Sequence, residues 1–288
     1  MHARVTKTLV RLGVPLCFTL APTFAQIESG TLIVLYMSDE KVVVAGDSLV
    51  AVKSLQGVGR ENQYGCKIVV LGKHTIFTGS GITGYHKKTP TDSVPQWSLI
   101  GEALAAYNEL LGASPDELSA HWAMKIRDIL NLPSLRNAAE TYARNNGGVV
   151  ANGVFVESST DDGLKVLRVQ MVYQFANAFS PVTSATDTVS PEECSSAIGH
   201  YCAFGNTDVF TEYAFLASKR ARTEAAAWNH DKFPRDRADK DALLAIRLVE
   251  LAIAYDKSRS VGGRVDAVIL RRGGTVNWVS HPDCPAPL

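Results

Sequence analysis

Two short apolar runs, Gly30-Thr-Leu-Ile-Val-Leu-Tyr36 and Val42-Val-Val-Ala-Gly-Asp47, are separated by the polar stretch Ser38-Asp39-Glu40. Runs of β-branched and apolar residues around a polar turn spell a β-hairpin. Folding back at Asp39 brings residues 31 and 47 to the same end, so the hydroxyl of Thr31 and the carboxylate of Asp47 meet there. The pattern constrains the fold to one with antiparallel sheet, and it seeds a site.

The rest of the chain alternates strands and helices. Lys67–Leu71 and Thr75–Thr78 form a second strand pair that runs into a glycine-rich loop, Gly79-Ser-Gly-Ile-Thr-Gly84. Apolar residues at helical spacing, Leu99, Ala103, Leu104 and Tyr107, place a helix over Trp97–Leu111. Ser114-Pro115-Asp116-Glu117 is a capping box with proline at the first helical position, so a second helix starts there and stops before Pro133. A third runs to Arg144. Strands return at Val149–Glu157 and Leu164–Phe175, and a Ser, Thr and Pro-rich surface loop is expected from Ala176 to His200. Helices follow over Val209–Trp228 and Asp239–Tyr255, the latter with Leu243, Ile246, Val249 and Ile253 as its buried stripe. The last hairpin joins Arg264–Leu270 to Thr275–Val279 through Arg271-Arg272-Gly273-Gly274. This order suits a single α+β domain, a four-layer αββα sandwich with two stacked antiparallel sheets.

The first 25 residues have a basic start, an apolar run over Leu12–Ala21 and small residues at Thr23 and Ala25, the layout of a secretory signal peptide cleaved after Ala25. A periplasmic or secreted location follows. No segment is long and apolar enough for a stable membrane span. Beyond the signal, the cysteines are Cys66, Cys194, Cys202 and Cys284. Export permits disulfides, and Cys194 with Cys202 is the favoured pair because they lie close in sequence. None has metal-ligand spacing, so no metal is expected. The 29 basic and 29 acidic residues cancel, which argues against nucleic acid as the main partner.

Gly30-Thr31, Asp47 sixteen residues on within Val-Val-Val-Ala-Gly-Asp-Ser, Lys67 before Ile-Val-Val-Leu, Phe77-Thr78-Gly79, and Val261-Gly262-Gly263-Arg264-Val265-Asp266 occur in an order that resembles the proteasome β-subunit-type N-terminal nucleophile hydrolases and their bacterial relatives. The resemblance runs from Thr31 to about His281. It implies Thr31 as nucleophile, Asp47 and Lys67 as its supports, and the Gly79 N–H as oxyanion donor, without cofactor or metal. A threonine at a free N-terminus carries its own base, an α-amine with pKa near 8. The implied organisation is a signal at 1–25, a propeptide at 26–30 removed by autolysis at Gly30-Thr31, and the hydrolase domain at 31–288.

Two supporting positions depart from the family pattern. Where the family places a serine that bonds the threonine amine, this chain has Asn206 or Thr207. Where it has an aspartate before the Gly-Gly pair, this chain has Ser258, with Asp256 nearby. The implied activity is cleavage of peptide bonds, or of small amides, by an enzyme that can form a homo-oligomer. The alternative is a non-catalytic module that keeps the sandwich for assembly or binding.

Overall fold

The computed structural model describes residues 24–54, 60–88, 93–159, 163–196, 199–205, 239–256 and 261–280. Among them lie two antiparallel sheets and four helices. The six-stranded sheet is built from the hairpin β2 (Leu32–Met37) and β3 (Lys41–Asp47). It is widened by β13 (Gly199–Gly205) and the two-residue β12 (Ser195–Ser196) on one side, and by β14 (Val265–Arg271) and β15 (Val276–Ser280) on the other. Ile33 pairs with Gly46 and Met37 with Val42, so the hairpin opens toward residues 31 and 47 as expected.

The nine-stranded sheet contains β1 (Phe24–Ser29), β4 (Leu49–Ser54), β5 (Arg60–Tyr64), β6 (Ile68–Leu71), β7 (Thr75–Lys88), β8 (Ser93–Ser98), β9 (Val149–Ser159), β10 (Gly163–Tyr173) and β11 (Val182–Thr188). Three differences from the sequence reading stand out. The glycines from Gly79 to Gly84 do not make a loop but continue β7 for 14 residues. Their missing side chains leave room for close neighbours: an added Cβ at Gly79 would lie 2.9 Å from Leu99 Cδ1. The expected surface loop at Ala176–His200 instead carries β11, which pairs with β10 from Leu167↔Thr188 to Tyr173↔Val182, and part of β13. Val182, Thr183, Thr186 and Thr188 are β-branched and fit a strand, although the Ser and Thr content of the segment resembles that of a loop. Phe24–Ser29, the last two residues of the expected signal and most of the expected propeptide, form β1, an internal strand flanked by β4 and β7, while residues 1–23 lie outside the described residues.

Helix α1 (Leu99–Glu109) begins with Ser98 Oγ accepting the Gly101 N–H. Helix α2 (Pro115–Leu130) has the capping box: Ser114 Oγ accepts the Glu117 N–H at 3.3 Å and Glu117 Oε2 accepts the Ser114 N–H at 2.9 Å. Helix α3 (Pro133–Asn145) follows at once. These three bury Leu99, Ala103, Trp122, Ile126 and Ala139 against Phe77, Phe155 and Val169 of the nine-stranded sheet. Trp122 anchors this core, stacking at 5.2 Å on Phe77 and donating its indole N–H to Leu99 O at 3.1 Å.

A second core joins the two sheets, with Ile33, Leu35, Val42 and Val44 facing Ile68, Ile76, Val154 and Val166. A third lies between the other face of the six-stranded sheet and helix α4 (Lys240–Tyr255). Here the stripe differs from the expected one. Ala242, Ala245, Leu248, Val249 and Ala252 are buried, whereas Ile246 and Ile253 are only partly covered. Alanines let the helix sit close to the flat strand surface formed by Leu32, Val34, Val43 and Ala267, so the larger residues move to its margin. Asp239 caps α4 and ties it to the sheet through Lys41 Nζ (2.7 Å) and Arg271 Nη2 (2.9 Å).

Cys194 and Cys202 form the favoured disulfide, and Cys66 is disulfide-bonded as well. The expected helix over 209–228 lies outside the described residues. No described helix is long and apolar enough to cross a membrane.

Candidate active site

The open end of the β2–β3 hairpin holds the residues that the spacing brought together. Thr31 and Asp47 are 0% exposed and Lys67 only 4%. Lys67 precedes β6, and Thr78 Oγ1 fixes that backbone by donating to Lys67 O at 2.7 Å. Its ammonium donates to both Asp47 oxygens at 3.2 Å, to Leu49 O, and to Gly30 O at 2.8 Å. A buried charge is tolerated only when paired and hydrogen-bonded.

Asp47 is the hub. Its Oδ1 accepts the Leu32 N–H at 2.8 Å and its Oδ2 the Gly262 N–H at 3.0 Å. Burial pushes the carboxyl up from the ordinary aspartate range, while the Lys67 ammonium and the two backbone N–H groups pull it back. One side chain therefore joins β2, β3, β6 and the turn that precedes β14. That turn is itself set by Asp256, whose Oδ2 accepts the Val261 N–H at 2.8 Å. Ser48 completes the attachment by accepting the Arg264 N–H at 3.0 Å.

The closest convergence of polar groups is on Gly30. Its φ of 91° lies in the left-handed region that glycine adopts without strain. Thr31 Oγ1 donates to Gly30 O at 2.7 Å, and Lys67 Nζ approaches the same oxygen. A hydroxyl and an ammonium thus converge on the carbonyl of the peptide bond that joins Gly30 to Thr31. On the far side is Gly205, with a φ of 92°, where an added methyl would overlap the Thr31 carbonyl oxygen and stand 2.8 Å from Ser80 Cβ.

Of the residues singled out from sequence, Lys67 and Asp47 are paired, and they bind the backbone on either side of Thr31, at Gly30 O and the Leu32 N–H. Asp256 stands one hydrogen bond behind, holding the Gly262 turn. Gly79 lies within β7 opposite Gly153, beside the register position next to Lys67. Asn206, Thr207 and Ser258 fall outside the described residues. Sequence reasoning missed Gly262 as a donor to Asp47, Leu49 O as an acceptor, and Gly205 and Ser80 as the wall beside Thr31. The Gly262-Gly263 pair was the available signal for the first; the others are tertiary juxtapositions. Among the described residues no group of three or more His, Cys, Asp or Glu could hold a metal ion. No family model matches this chain, and no curated protein matches it.

Proposed function

We propose that this chain is the precursor of a threonine-type N-terminal nucleophile hydrolase, which cuts its own Gly30–Thr31 bond and then hydrolyses amide bonds in peptides. The observation that carries the reading is the Gly30 carbonyl oxygen, which takes hydrogen bonds from both Thr31 Oγ1 (2.7 Å) and Lys67 Nζ (2.8 Å). Thr31 Oγ attacks the Gly30 carbonyl carbon, and the oxyanion forms on the oxygen that Lys67 already holds. The C–N bond breaks as the proton lost by Thr31 Oγ is delivered to the Thr31 nitrogen, leaving an ester between Gly30 and Thr31 Oγ. Water hydrolyses the ester, which releases the Gly30 carboxylate and leaves Thr31 with a free α-amine. That amine then serves as base for attack on a substrate carbonyl.

The order of the three cores supports the four-layer αββα sandwich as its fold, with α1–α3 outside one sheet and α4 outside the other. The Cys194–Cys202 disulfide supports an oxidising location, in the periplasm or outside the cell. Because β1 is paired on both edges, to β4 and β7, the acyl part of a substrate is an extended chain. N-terminal sequencing of the purified chain tests this: a mature start at Thr31 is expected, and Thr31→Ala retains residues before it. A mature chain that never starts at Thr31 overturns the reading.

A second reading, a non-catalytic assembly or binding module, draws on Thr31 being fully enclosed while β1 is intact. Under it, Thr31→Ala leaves the mature terminus and all interactions unchanged.

A further inference from the structure

The face of the nine-stranded sheet that packs on the other sheet is apolar over Ile76, Val154, Val156 and Val166. One row on this face is polar throughout. Ser80 on β7 stands opposite Asn152 on β9, and Asn152 stands opposite Gln170 on β10. Three polar side chains therefore form a straight line across three strands, on the same face and in register. Gln170 Nε2 donates to Asn152 Oδ1 at 3.3 Å, and Asn152 Nδ2 donates to Ser80 Oγ at 3.4 Å. Each carboxamide is oriented by the previous one, so the row has a direction. With Asn152 donating to its oxygen, the Ser80 hydroxyl keeps its own proton to give away at the end of the row.

That end is the site. β6 covers one edge of β7 over Thr75–Thr78, and β1 pairs with β7 from Ile82 onward. The contact from Lys67, just before β6, to Gly30 O, just after β1, shows that the two strands meet in line along this edge. Gly79, Ser80 and Gly81 face the junction, where Gly30 and Thr31 cross to the other sheet. Ser80 is 1% exposed, and its Cβ and the Thr31 carbonyl oxygen both crowd the same point above Gly205. The outer part of the row opens into a cavity of about 440 Å³, whose lining includes Asn152, Gln170, Arg168, Gly81 and Gly205.

We propose that Ser80 is a positioning residue for the reaction at Gly30–Thr31, and that Gln170 and Asn152 form a polarised relay that aims the Ser80 hydroxyl at the Thr31 main chain. The donated hydrogen bond holds Thr31 so that its own hydroxyl stays on the Gly30 carbonyl. Gln170 thereby governs a bond two strands away. This inference rests on the self-cleavage reading above.

The test follows cleavage in freshly synthesised full-length chain by intact mass, with thermal unfolding measured in parallel. Ser80→Ala slows self-cleavage about tenfold, the effect of one neutral hydrogen bond, while Ser80→Thr restores it. Gln170→Glu is the decisive variant. An ionised carboxylate accepts where the amide donated, so Asn152 turns its N–H toward position 170 and its oxygen toward Ser80. The hydroxyl then donates to Asn152 and leaves Thr31. Cleavage slows to the Ser80→Ala level above the carboxyl pKa, which starts from about 4.3 and is raised by burial and lowered by the Arg168 guanidinium on the same face of β10. The ratio to wild type recovers as pH falls and the protonated carboxyl donates to Asn152 again. Packing alone would not produce that recovery. Wild-type cleavage accompanied by unchanged rates in Ser80→Ala and Gln170→Glu overturns this inference alone. A wild-type chain that never cleaves overturns the hydrolase reading and this inference with it.

Discussion

At the scale of single residues, Lys67 has the most demanding position, because it neutralises a carboxylate that has no exposure and holds the Gly30 oxygen at the same time. Removing one partner of a buried pair costs about 3–5 kcal/mol. Lys67→Met is therefore expected to lower stability by that amount in urea unfolding. It should also slow self-cleavage by about 10²–10³, the usual effect of deleting an oxyanion donor. Asp47→Asn keeps the size of the side chain and its acceptor for the Leu32 N–H, but it turns an amide N–H toward the Gly262 N–H and leaves the Lys67 ammonium without its counter-charge, so it should cost a similar amount and also lose cleavage. Gly205→Ala meets both a φ of 92° and the Thr31 carbonyl. A cost of about 1–3 kcal/mol is expected, together with slower cleavage in the mass assay. Thr31 and Asp47 were readable in the sequence because one hairpin places them at the same end, whereas Lys67 was singled out by the order of motifs that resembles the hydrolase family. Ser80, Gly205 and Gly262 were not, since each reaches Thr31 or Asp47 through a strand or turn distant in the chain.

At the scale of elements, helix α2 is held by local and distant features that can be separated. Its capping box acts only on its first turn, so Ser114→Ala should lower the unfolding free energy by about 1 kcal/mol without touching cleavage. Trp122 instead joins α2 to β7, β9 and the start of α1. Trp122→Ala should cost about 3–5 kcal/mol, and its indole signal is lost from the fluorescence of the native core. The helix starts, the capping box and the final hairpin were legible because they depend on neighbours within four residues or on period-two alternation. The continuity of β7 was not. Three glycines in six residues read as a loop when the neighbours that fill the space are unknown, and only Leu99 and β9 turn that emptiness into close packing.

At the scale of the whole molecule, the apolar attachment of α4 to the six-stranded sheet is joined by an ionic one, in which Lys41 pairs with Asp239 and Asp241 and Arg271 pairs with Asp239. Burial acts to raise Asp239, but the Lys41 ammonium, the Ala242 N–H and Arg271 more than offset it and hold the carboxyl below its ordinary value. A carboxyl depressed in the folded state adds stability above its unfolded pKa, about 3.9, and that stability is lost as pH falls further. Acid unfolding should thus steepen below about pH 4, and Asp239→Asn should flatten that limb when melting temperature is followed against pH. The amino-acid sequence by itself determined the alternation of strands and helices, the helix caps and the meeting of Thr31 with Asp47, because each is decided by short-range periodicity and sterics. Tertiary structure alone decided that residues 24–29 form an internal strand, that alanines face the sheet in α4, and that Gln170, Asn152 and Ser80 form one row across three strands. These depend on which strands become neighbours, and long-range register is set by burial summed over the whole fold, not by any one segment.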